Sequence, residues 1–156
     1  MTEDKEYIPT PLAADISGSF SPPLEGLEAG MRFEELLKAL TLGSVEAGAW
    51  SIGHVKGVVE AEDGFMSMSS TTDDGKVRSK GELGPTGDWT MTVNVIVFGP
   101  DADELETMLL DKVSALLPGS EVEVYHAEGC EDPDCFDPFC RRPEHSHEDD
   151  CDCDRC

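Results

Sequence analysis

Cysteine is missing from the first 129 residues of this 156-residue chain. A body without thiols has no disulfides and no thiolate-bound metal, so it must fold by burial alone. Cations are scarce too: 11 Lys and Arg stand against 34 Asp and Glu, giving a net charge of −23. A surface of that sign repels nucleic-acid phosphates and anionic membranes, and argues against both as partners. Aromatic residues make up only 6% and hydrophobic residues 38%, which suffices for one small core. No apolar run approaches the roughly 18 residues that span a bilayer. The start, Met1-Thr2-Glu3-Asp4-Lys5-Glu6, is acidic with no apolar stretch behind it. It reads as no secretory signal, and the expected compartment is the cytoplasm.

Recognisable catalytic motifs are absent as well. There is no Gly-x-x-x-x-Gly-Lys, no Gly-x-Gly-x-x-Gly and no Gly-x-Ser-x-Gly, so phosphate cradles and nucleophile elbows are not indicated. Carboxylates are so abundant that no pair of them singles itself out as acid and base. His54 falls in a strand segment, where alternation places it with Trp50, Ile52 and Val58. That is the setting of a half-buried structural histidine. The expectation is a protein that is not an enzyme.

What is present begins with the charge. Self-repulsion at −23 opposes a compact state in dilute buffer, and salt relieves it. Acidic residues run along the whole chain, as in proteins of a high-salt cytoplasm, and a halophilic protein is one expectation. An acidic body with a cationic partner is the other.

The chain divides into three parts. Residues 1–29 are punctuated by Pro9, Pro11, Gly18, Pro22, Pro23 and Gly26. They read as an extended N-terminal arm that lies on its own domain or on a neighbour. Residues 30–126 read as an α+β domain. Phe33, Leu36, Leu37 and Leu40 make one helical stripe over Met31–Leu42, and Gly43 is the expected stop. An antiparallel meander follows: Trp50–Ala61, Phe65–Thr72, a polar edge strand over Lys76–Leu83, and the strongly alternating Trp89–Phe98. Asp-Gly pairs at 63–64 and 74–75 supply its turns. Asp101 with Glu104 reads as a capping box for a helix through Leu117, and Glu121–His126 is a last strand. The stretch 89–126 is then a βαβ unit, expected to cross over in parallel. The predicted fold class is α+β: a small mixed, mostly antiparallel sheet, formed by the meander plus the C-terminal βαβ unit, with two helices on one face.

Residues 127–156 are different again. They contain 11 acidic and 3 basic residues, and Phe136 and Phe139 are almost their only apolar content. Burial cannot offset the roughly 1–2 kcal/mol per residue that ordering costs. All six cysteines are here, with two histidines among them. Cys130 to Cys135 and Cys135 to Cys140 repeat Cys-x-Asp-Pro-x-Cys, whose Asp-Pro turn draws successive sulfurs together. His145 and His147 follow, then Cys151, Cys153 and Cys156. Thiolate and imidazole are the ligands zinc prefers, and eight of them fill two tetrahedral sites. One grouping places Cys130, Cys135 and Cys140 with one histidine, and Cys151, Cys153 and Cys156 with the other. The spacing matches no common zinc finger. Zinc is the expected metal, with nickel or an iron–sulfur cluster behind it. In type, the segment is similar to the Cys/His-rich tails of metal-handling accessory proteins.

Two functions remain open on these residues. The first is a non-enzymatic zinc- or nickel-binding accessory protein whose acidic α+β domain docks on a client. The second is a structural or assembly subunit of a cellular or viral complex, with a zinc-stabilised tail and a partner-binding N-terminal arm. Both imply protein partners through the arm and the sheet domain, and both allow an oligomer.

Overall fold

Trp89 to Phe98, the clearest strand signal in the chain, lies in the middle of the sheet. The computed structural model describes residues 8–125. Its elements are β1 (Thr10–Leu24), α1 (Gly26–Glu46), β2 (Ser51–Ala61), β3 (Gly64–Ser70), β4 (Arg78–Leu83), β5 (Thr86–Phe98), α2 (Ala102–Leu116) and β6 (Glu121–Tyr125). The six strands form one sheet in the order β4-β3-β2-β5-β1-β6. The fold is α+β with an antiparallel sheet and two helices, as the periodicities indicate. Among the described residues, no helix is long and apolar enough to cross a membrane.

The expected arm is the main correction. Thr10–Leu24 is not an appendage. It is β1, lying between β5 and β6 and antiparallel to both. Leu12, Ala14 and Ile16 point into the core and are essentially unexposed. Alternation is present but muted, because Ala14 and Gly18 are too small to announce a core face. Prolines are tolerated because β6 covers only Ala13–Ser17, so among the described residues Pro11, Pro22 and Pro23 have no outer neighbour.

Inserting β1 also changes the βαβ unit. The chain leaves β5, crosses through α2 and returns in β6, but β1 stands between the two strands. Among the described residues every strand pairing is antiparallel, so no parallel ladder forms there and the sheet they make is not mixed.

Both helices lie over one face and share one core. From α1 come Phe33, Leu36, Leu37 and Leu40, and from α2 Leu105, Leu109 and Val113. They meet Val55, Val59, Met91, Val93, Val95 and Val97 of the sheet. Phe20, Phe33 and Trp89 form an aromatic cluster, with Phe33 edge-on to Trp89 at 5.0 Å. Contacts of this kind add about 0.5–1.5 kcal/mol per pair beyond area burial and here join α1 to β1 and β5.

Helix α1 runs past the expected stop. Gly43 is inside it and buried, and a Cβ there would stand 2.8 Å from Met108 Sδ of α2. Its role is to let the two helices approach. Buried Thr41 and Ser44 bond back to the carbonyls of Leu37 and Leu40, so their hydroxyls are satisfied within the helix. Helix α2 starts as its sequence indicates. The Asp101 carboxylate accepts from Glu104 N–H at 2.8 Å, and the Glu104 carboxylate accepts from Asp101 N–H at 3.0 Å.

Candidate functional site

The predicted metal ligands Cys130, Cys135, Cys140, His145, His147, Cys151, Cys153 and Cys156 all lie outside the described residues, and so does His126. Among the described residues, no group of three or more His, Cys, Asp or Glu is placed to hold a metal ion. The structure speaks to residues 8–125 alone. What it does define is the sheet surface that they follow.

Neither helix covers the second face of the sheet. Register fixes which residues it presents. One row runs Arg78, Ser69, Lys56, Asn94, Ala13 and Tyr125 from β4 to β6. The next runs Lys80, Ser67, Val58, Thr92, Asp15 and Glu123. Charge is sorted along both rows. The β4 end carries Arg78, Lys80 and Lys56, and the β6 end carries Asp15 and Glu123; the third row, Glu82, Phe65, Glu60, Thr90, Ser17 and Glu121, is acidic at both ends.

The acidic end has a fixed hydrogen-bond network. Asp15 accepts from Tyr125 Oη at 2.8 Å and from Thr92 Oγ1 at 3.1 Å. The bond to Asp15, with burial and Glu123 behind it, pushes the Tyr125 phenol up to about 12. Removing its proton would set a phenolate against carboxylates. Beside this network, a shallow cavity of about 620 Å³ is lined by Glu60, Glu62, Asp88, Glu121 and Trp89. Its carboxylates repel anions. The indole Nε1 of Trp89 is buried and has no hydrogen-bond partner among the described residues.

His54 stands on the open face, opposite Ile96. Its pKa is lowered, first by burial and then by the charge of Lys56, which favours the neutral imidazole. The expected company of Ile52 does not hold. A register shift between Ile52 and His54 turns Ile52 toward the core. Gly53 makes this possible, since a Cβ there would sit 2.8 Å from the Ile96 carbonyl oxygen. Trp50 packs on Phe98, with ring centroids 5.3 Å apart and planes tilted by 41°.

No protein-family model, curated protein or solved structure matches the chain. The site rests on its own residues. Sequence reasoning missed the sorted face, although its signal was there: Lys56, Lys80 and Arg78 all fall on the polar phase of alternating strands.

Proposed function

We propose that the chain is a non-enzymatic, metal-binding accessory protein of the cytoplasm. It holds zinc in residues 127–156 and uses its acidic α+β domain to dock on a client protein. One observation carries this reading: all six cysteines and two histidines fall in the last 27 residues of the chain. Ordinary use of cysteine in a small core would scatter it, and a disulfide framework would tie distant elements together. The body supports the division of labour. Its core of Leu, Val, Ile, Met and Phe closes around both helices without a thiol. Three thiolates and an imidazole make a tetrahedral zinc set, and nickel or an iron–sulfur cluster fits the same ligands less well. Elemental analysis of protein purified without oxygen tests the proposal. It should find about two zinc per chain, as eight ligands in fours imply. Metal-free protein with loose or bridged thiols overturns it.

A second reading, a structural or assembly subunit of a cellular or viral complex, is favoured by one feature. Among the described residues the outer edge of β4 is unpaired, and Leu27 and Met31 stand 82% and 61% exposed beside it on α1. With Gly30, Met66 and Leu83 they line a groove of about 390 Å³. An added strand could occupy such an edge. The partner-binding arm of this reading would shrink to the residues before β1. Metal exchange separates the two: a carrier gives zinc to a chelator quickly and keeps its oligomeric state, whereas a structural site gives it up slowly and its oligomer breaks.

A further inference from the structure

Residues 8–125 carry 20 acidic and 7 basic side chains. With carboxylates in such excess, cations should find them. Yet Lys56 on β2 and Arg78 and Lys80 on β4 are exposed on either side of β3 and, like the other four described cations, form no ion pair with any described residue. Ser67 and Ser69 lie between them on β3. On its helix side, β4 is tied down by Ser79, which bonds to Glu34 of α1 at 2.8 Å. That contact leaves Arg78 and Lys80 on the open face. Lysine on an edge strand commonly guards it against pairing. Such guarding does not account for Lys56, which is two strands in from that edge.

We propose that this basic end of the open face binds the chain's own acidic segment, residues 127–156. Charge selects it. The segment carries 11 acidic and 3 basic residues, a net −8, and five of the seven residues Glu148–Asp154 are acidic. A free polyanion would have to approach a chain of −23 against long-range repulsion. A tethered segment is already there, at an effective concentration of order millimolar. Reach allows it. From Tyr125 on β6, the face crosses five strand spacings of about 4.8 Å to β4, or about 24 Å. The 23 residues from His126 to Glu148 extend to about 75 Å at most.

Docking also senses the metal, and this step rests on the zinc reading above. Three thiols that bind one Zn²⁺ lose three protons and gain two charges, so each centre adds −1 to the segment. Two centres take −8 to −10. The loaded segment is the better ligand for Lys56, Arg78 and Lys80.

A carbodiimide, which joins a lysine amine directly to a carboxylate in contact with it, tests this on the full chain. The monomer is isolated and the linked peptides are read by mass spectrometry. Lys56 and Lys80 should link to carboxylates of residues 128–154 in the same chain, while Lys112 on α2 should not. The yield should fall several-fold at about 1 M salt. It should also fall in Arg78→Ser, which leaves both amines in place. Links confined to the body's own Glu60 or Glu82, or formed between chains, overturn the docking. Equal yields from protein shown to carry zinc and from the same protein stripped by a chelator overturn the metal dependence. Protein that takes up no zinc but still links Lys56 and Lys80 to the segment upholds the docking and overturns the zinc reading alone.

Discussion

Tyr125 donates its phenol proton to Asp15 at 2.8 Å, diagonally across the seam between β6 and β1. Asp15 is paired with Glu123 in the register, so the carboxylate would otherwise face a like charge with only Thr92 to offset it. The phenol fills that gap with a neutral donor. It holds the end of β6 against β1 at the last described residue before the Cys/His-rich segment.

The first prediction concerns the pH at which this contact fails. The folded phenol loses its proton near pH 12, against an ordinary value of 10.0. A raised folded pKa contributes stability that is fully present below the unfolded value. It is lost as pH rises from about 10 to about 12. Phenolate absorbance should show one of the two tyrosines, Tyr7 and Tyr125, ionising late. Tyr125→Phe should remove the late step and flatten the alkaline loss of stability. An unchanged alkaline profile in that variant would remove the contact from the account.

How far the fold could be read from the sequence follows from side-chain size. Trp89–Phe98 announced β5 because large apolar and polar residues alternate there, and Asp101 with Glu104 announced α2 because a capping box is a local motif. β1 was hidden. Its core face uses Ala14 and Gly18, and its prolines lie where β6 does not reach. Gly43 was misread, and Gly53 passed over, for a related reason. A glycine marks a turn, a bulge or a close contact, and only the neighbour decides which: the Ile96 carbonyl for one, Met108 for the other. The metal ligands were legible as chemistry alone, because their clustering is compositional. The sorted charge on the open face needed the register of all six strands.

Gly43 gives the second prediction. A helix-stopping glycine tolerates no Cβ whatever its size, whereas a contact glycine charges by volume. Gly43→Ala should be nearly neutral. It gains about 1 kcal/mol of helix propensity against a shift of the flexible Met108 side chain. Gly43→Leu should cost about 1–3 kcal/mol by forcing α1 from α2. Denaturant melts of the two variants decide it. Equal, large losses in both would restore the stop.

The third prediction dissects the ligands. Replacing Cys130, Cys135 and Cys140 with Ser should lower bound zinc by about one equivalent and leave the second centre loaded. Elemental analysis reads the outcome. Loss of all metal would show that the two groups of ligands share one site. The sheet domain should still melt cooperatively in this variant, since the core residues of both helices and all six strands lie within 8–125.

The last prediction concerns salt. Across residues 8–125, 20 carboxylates face 7 cations, and none of those cations forms an ion pair with any described residue. Repulsion among the surplus falls as the Debye length shrinks from about 30 Å at 0.01 M to about 3 Å at 1 M. The melting temperature should therefore climb steeply at low salt and flatten once screening is complete. Sodium and potassium chloride should give the same curve, because screening depends on ionic strength. Sucrose should reproduce only the shallow part, since it strengthens burial without screening charge. A melting temperature indifferent to chloride would mean that the surplus carboxylates are spaced too widely to repel, and the high-salt reading of this surface would fall with it.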